Sequence, residues 1–216
     1  YIDNYDGSVK VESFLLDEFI PHLRERFNIS RDREKTLLTG ISMGGLGGLH
    51  LAFKNPHVFG AVASMEPGVW QGLSWDEVPA ENKIRNAESI ANLFGDPFDA
   101  NHWQKINPAS IAAADPSRLK DLTIYFECGD SDAFGFHAGN EFLHRTLWSL
   151  RIPHEFRLVR WGDHVGPTVI ERSLNRFRFL ARYLKQPGEP TERLTNFRKD
   201  RAEWAASAGF KQSPYW

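Results

Sequence analysis

The chain has 216 residues, 41% hydrophobic and 25% charged, an ordinary globular composition that excludes a disordered or low-complexity polypeptide and leaves room for a sizeable core. Its 26 Lys and Arg against 28 Asp and Glu give a formal net charge of −2, without the basic excess that selects nucleic acid or an anionic membrane surface. A single cysteine, Cys128, excludes an internal disulfide and a cysteine-built zinc cluster, and no apolar run approaches the roughly 20 residues that span a bilayer.

The chain opens at Tyr1, its methionines are Met43 and Met65, and no charged n-region precedes an apolar h-region. It therefore reads as a chain whose leader has been removed or as a fragment of a longer polypeptide. Residues 9–27 carry Val11, Phe14, Leu15, Phe19, Ile20 and Leu23 at helical spacing, which predicts a helix with one apolar face, kinked at Pro21. A polar stretch, residues 30–35, leads into Thr36-Leu37-Leu38-Thr39, a short apolar run that ends at a glycine and predicts a buried strand. Residues 44–54 are helical in pattern and rich in small side chains, and the helix stops before Pro56. Residues 58–65 (VFGAVASM) predict a second buried strand.

From Glu66 to Asp121 periodicity weakens and prolines recur at 67, 79, 97, 108 and 116, so about residues 67–121 read as an irregular insertion with short helices. Residues 122–128 (LTIYFEC) predict a strand, and residues 137–150 a helix facing inward through Phe142, Leu143, Leu147 and Leu150. Residues 154–161 (HEFRLVRW) predict a strand, and residues 168–184 a helix facing inward through Ile170, Leu174, Phe177, Leu180 and Ala181. Pro187-Gly188-Glu189-Pro190 reads as a linker. Beyond it, Leu194, Phe197, Ala202 and Trp204 suit one more helix. The expected organisation is one α/β domain over residues 1–186, followed by a linker and helical tail over 187–216. Strands alternating with helices predict a mostly parallel sheet covered on both faces, with ligands at the carboxyl ends of its strands.

The chemistry-bearing motifs fall at those ends. Gly40-Ile41-Ser42-Met43-Gly44 follows a strand and opens a helix, the context of a G-x-S-x-G nucleophile elbow. Such a turn exposes the Ser42 hydroxyl and puts the Met43 N–H at a helix N-terminus, where it faces a developing oxyanion. A serine hydroxyl needs a base, and the base an orienting carboxylate, in the chain order Ser, acid, His. After the 122–128 strand comes Gly129-Asp130-Ser131-Asp132. The chain must turn at Gly129 before a side chain can reach back, which favours Asp132, with Asp130 as the alternative and a turn or cap as its bland role. After the 154–161 strand comes Gly162-Asp163-His164, which makes His164 the candidate base.

His137 opens the helix after the acid loop and either lines the pocket or caps. His22, His50, His57, His102, His144 and His154 read as structural. No pair has a metal-ligand spacing, so neither metal nor cofactor is expected. Trp70, Trp75 and Trp103 in the insertion either roof the site, stacking on a sugar or phenolic acyl group, or fill a small core of their own.

The chain resembles the esterase D group of α/β-hydrolases, which includes S-formylglutathione hydrolases, feruloyl and acetyl-xylan esterases, enterochelin esterase-like proteins and mycolyltransferases. The resemblance rests on Glu18-Phe19-Ile20-Pro21, Gly40-Ile41-Ser42-Met43-Gly44-Gly45, Asn55-Pro56-His57-Val58-Phe59, Gly129-Asp130-Ser131-Asp132 and Gly162-Asp163-His164, and covers roughly residues 1–184. It implies an α/β-hydrolase fold with Ser42 as nucleophile, Asp132 as acid and His164 as base. It departs in Val165-Gly166-Pro167 after the histidine, where many members have aromatics, and in Glu66, where many have serine. With 41 residues before Ser42, the resemblance implies the C-terminal part of the fold, without the N-terminal strands and the loop that gives a second oxyanion donor. The first strand is then an open edge, which invites self-association. The expected partner is a small-molecule or carbohydrate ester, feruloyl or acetyl before an acyl thioester, with neither nucleic acid nor membrane. A prolyl-oligopeptidase-type peptidase and a non-catalytic binding remnant are the rival readings. The sequence leaves the compartment open between cytoplasm and secretion.

Overall fold

The computed structural model describes residues 1–83, 87–185 and 190–210. A four-stranded, wholly parallel sheet runs in the order β1 (Leu37–Ile41), β2 (Ala61–Met65), β3 (Thr123–Gly129), β4 (Glu155–Val159). The register pairs Ile41 with Met65 and Met65 with Glu127, so the loops after all four strands open at one end of the sheet. Side chains alternate across it, as a period of two requires. Val62, Ile124 and Phe126 pack on one face with Leu49 and Phe53 of α3 (Met43–Lys54) and Leu143 and Leu147 of α7 (Phe136–Ser149). Ala61, Ala63 and Tyr125 pack on the other with Phe179 and Leu180 of α8 (Val169–Lys185). Helices on both faces of a parallel sheet are what the sequence pattern predicts.

Four expectations need correction. The 36–39 run is not buried: β1 is a half-exposed edge strand, because a neighbour covers it on one side alone. The predicted N-terminal helix is α1 (Val11–Ser13), a π-helical turn (Phe14–Phe19) and α2 (Ile20–Arg26). Its deviation sits just before Pro21, whose missing N–H and ring cannot fit the regular ladder. Its apolar face is not inward, since Phe14 and Phe19 are exposed and Glu12 is its buried side chain. Glu12 meets His50 at 2.9 Å and Lys54 from α3; against the upward push of burial, these two partners hold its carboxyl down at about 2.

In α8 the predicted stripe is turned the wrong way at every position except Leu180, which is buried as expected. Ile170, Leu174, Phe177 and Ala181 lie outward, and the buried face carries Arg172, Arg176, Phe179 and Leu180. Both arginines have polar work inside: Arg176 donates to Thr39 Oγ1 at 2.8 Å, and Arg172 reaches the strand ends described below.

Between β2 and β3 lie α4 (Ala87–Phe94), α5 (Ala100–Gln104) and α6 (Pro108–Ala114), with short 3₁₀ turns before α4 and after α6. Trp70, Val78, Phe94, Trp103 and Ile106 form a cluster of their own here, with Trp75 against it, so these tryptophans fill a local core. The linker reading at 187–189 lies outside the described residues. Past it, α9 (Glu192–Ser207) is the expected helix, and Ala205 is its buried residue. Among the described residues no helix is long and apolar enough to cross a membrane.

Candidate active site

The elbow is built from β1 and α3. Ser42 sits between them at φ 57°, ψ −119°, a backbone conformation that side chains bearing a Cβ rarely adopt. Two hydrogen bonds hold it: its N–H donates to Met65 O at 2.9 Å, and its C=O accepts the first helical bond from Leu46 at 3.0 Å. Gly40 is required by close approach, since a Cβ there would lie 2.0 Å from the carbonyl oxygen of Gly44. The N–H groups of the first turn, Met43 foremost, have no intrahelical carbonyl to bond and stay available to an anion.

The acid loop follows β3 and the histidine loop follows β4. The two touch so closely that a Cβ on Gly129 would come 2.1 Å from the carbonyl oxygen of Gly162. His164 Nε2 lies 2.9 Å from Ser42 Oγ, and His164 Nδ1 lies 2.8 Å from Asp132 Oδ2. A carboxylate can only accept, so Nδ1 carries the proton and Nε2 is left to accept from the hydroxyl. Asp132 and the imidazole are buried, and Asp132 Oδ1 is fixed by the Phe134 N–H at 2.8 Å. The structure therefore brings together Ser42, Asp132 and His164.

Asp130 is elsewhere. It accepts from Arg160 at 2.8 Å and from the Trp161 N–H at 2.7 Å, and the Arg160 guanidinium holds its carboxyl below the usual range. It ties two loops together at the surface, where the sequence offers a turn or cap as its bland role.

Several residues at the site carry no sequence signal of their own. Phe134 and Phe136 stand edge-on to the imidazole, with ring centroids at 4.6 and 5.5 Å. The Asp163 carboxylate accepts the His164 N–H at 2.6 Å and the Ala133 N–H at 3.0 Å, stitching the histidine loop to the acid loop. Glu66 and Arg172 form a buried ion pair beneath both loops. The lone cysteine is there too: burial pushes the Cys128 thiol up, and it donates to Glu66 Oε2 at 2.7 Å.

Beside Ser42 opens a cavity of about 380 Å³, walled by Leu46, Trp70, Ile90, Leu93, Phe94 and Phe136, with Met43 at its rim. Trp70 thus serves both the local core and the cavity wall, whereas Trp75 and Trp103 stay in the core. His137 is not part of that wall; its Nδ1 is buried without a hydrogen-bond partner. A larger depression of about 1000 Å³, between Lys54, His102 and Arg118, holds none of the three residues that meet at Ser42, so the smaller cavity is the one that bears on chemistry.

A family model described as "Putative esterase" matches residues 1–164. Among solved structures, a ferulic acid esterase superposes with a TM-score of 0.63 at 22% identity, over 81% of this chain and 62% of its own. An S-formylglutathione hydrolase from Agrobacterium tumefaciens gives a TM-score of 0.64 at 17% identity, over 85% of this chain and 60% of its own. The substrate-bound fluorophosphonate-binding serine hydrolase F of Staphylococcus aureus gives 0.63 at 17%, over 85% and 67%. At these identities the likeness is one of fold, the α/β-hydrolase fold, and the chain spans about six-tenths of the length of the first two structures. No curated protein sequence matches.

Proposed function

From a chain that belongs to the esterase family, we propose a serine carboxylic-ester hydrolase that works through Ser42, His164 and Asp132. The observation that carries the reading is the unbroken hydrogen-bonded chain from the Ser42 hydroxyl through the imidazole to a buried carboxylate. As the hydroxyl oxygen attacks the acyl carbon, His164 Nε2 takes its proton. Asp132 holds the ring in the tautomer that permits this and faces the imidazolium that forms. The Met43 N–H donates to the oxyanion of the tetrahedral intermediate. Collapse expels the alcohol, which takes the proton back from Nε2, and leaves an acyl-Ser42. Water, deprotonated by the same nitrogen, then releases the acid.

The cavity supports an apolar acyl group. Its aromatic and aliphatic walls reward a phenolic or medium-length acyl chain and give a formyl group nothing to fill. A feruloyl carbohydrate ester is therefore preferred, ahead of an acetyl ester and of an acyl thioester such as S-formylglutathione. The test is treatment of the chain with a fluorophosphonate, with mass mapping of the adduct, alongside hydrolysis of methyl ferulate, a chromogenic acetate and a short acyl thioester. An adduct on Ser42 and turnover of the oxygen esters are expected. An unlabelled, inert chain would overturn the hydrolase reading of this chain.

The wall makes a separate prediction about selectivity. Ile90→Trp should narrow the cavity and lower kcat/KM for methyl ferulate by about 10-fold or more, while the chromogenic acetate changes little. Parallel loss on both substrates would show that the acyl group does not occupy this cavity.

A further inference from the structure

Glu66 follows β2 directly and is fully buried, at φ 48°, a conformation uncommon outside glycine. Its N–H donates to Glu127 O at 2.8 Å, and its side chain crosses to the end of β3. There it accepts from the Gly129 N–H at 3.0 Å and from the Cys128 thiol at 2.7 Å. Arg172, from the buried face of α8, forks between two targets: Nη1 donates to Glu66 Oε1, and Nη2 donates to the carbonyl oxygen of Asp163. Its Nε donates to Thr168 Oγ1 at 3.0 Å, which fixes the plane of the fork. Asp163 in turn holds the N–H groups of His164 and Ala133.

The loops after β2, β3 and β4 meet in this network. An oxygen of Glu66 lies within 4.8 Å of a carboxylate oxygen of Asp132 and of a ring nitrogen of His164, so a second carboxylate stands close to the imidazole. A buried ion pair gives little net stability by itself. Its placement here has a more specific consequence, because a guanidinium that occupies Glu66 leaves Asp132 as the carboxylate free to take the His164 N–H.

We propose that Glu66 and Arg172 are a positioning pair, which holds the histidine loop against the acid loop and keeps the imidazole on Asp132. The proposal rests on the triad reading above. Neither residue lines the cavity beside Ser42, so their loss should act on turnover and not on binding.

The experiment compares Arg172→Met, Arg172→Lys and the near-isosteric Glu66→Gln with the unaltered chain, each checked for native circular dichroism, using the chromogenic acetate. Arg172→Met and Glu66→Gln should lower kcat by about 10- to 100-fold with KM within about twofold, the scale of a small misplacement of a catalytic group. Arg172→Lys keeps the charge but lacks the planar fork that spans the two acceptors, and should recover part of the loss. Should Arg172→Met fail to fold, Glu66→Gln decides the matter. Folded variants that keep kcat within about threefold, or that lose activity through KM, would overturn the positioning role while leaving the triad standing. An unaltered chain that neither hydrolyses nor labels would overturn the triad, and this proposal with it.

Discussion

Ser42→Ala should abolish ester hydrolysis, with kcat falling by about 10⁴- to 10⁶-fold, and should leave the melting temperature nearly unchanged. The size follows from the order of events: without the oxygen no acyl-enzyme forms, and what remains is the help that the Met43 N–H and the cavity give to direct attack by water. The small effect on stability follows from the geometry. Ser42 Oγ makes one hydrogen bond, to His164, and residue 42 is itself half-buried, so a water can take the place of the lost hydroxyl. The backbone supplies a second arm. At φ 57° and ψ −119° any residue with a Cβ is strained, by roughly 1–3 kcal/mol. Ser42→Gly should therefore be as inactive as Ser42→Ala but more stable than the native chain in thermal unfolding, because it releases strain that serves only to expose the hydroxyl. Hydrolysis retained in either variant would remove Ser42 from the reaction.

How much of this was legible in the sequence depended on which physical signal each residue carried. The elbow was legible because glycine spacing, a preceding apolar run and a following helix all report one backbone shape. Asp132 and His164 were legible from order and from their place after strands, since the fold delivers those loops to one end of the sheet. Leu143 and Leu147 of α7 faced inward as their period predicts. In α8 the same rule failed at every predicted position except Leu180. Periodicity counts apolar residues, and a helix that buries Arg172 and Arg176 against partners on the sheet gives no apolar signal for its inner face. Glu66 was hidden for the same reason: an acidic residue beside a proline reads as loop, and only the distant Arg172 shows that it belongs inside. The apolar residues of the N-terminal helix were visible but misread, because Phe14 and Phe19 meet no element of this structure that would bury them. Trp70, Trp75 and Trp103 were left open between two roles, and the structure divides them, with Trp70 alone reaching the cavity.

Asp132→Asn should lower kcat by about 10⁴-fold with little change in KM, and Asp130→Asn should leave kcat within about twofold. The contrast discriminates between the two carboxylates of a single loop. Asp132 Oδ1 accepts the Phe134 N–H, so an asparagine at this position keeps its carbonyl oxygen there and turns its amide nitrogen toward His164. An amide N–H facing Nδ1 demands an acceptor, which moves the ring proton to Nε2. That nitrogen then meets the Ser42 hydroxyl as a donor and cannot take its proton. The ring stays in place and the substrate still binds, but the base has been switched off. Asp130 has no such lever. Its oxygens face Arg160 and the Trp161 N–H at the rim, and an amide there loosens a surface tie without reaching the imidazole. Equal losses in the two variants would mean that the loop acts as a scaffold alone. A larger loss at Asp130 would reassign the acid to it and require His164 to turn in solution. Parallel fluorophosphonate labelling gives a second reading of the same step: Asp132→Asn should label far more slowly than the native chain, and Asp130→Asn at its rate.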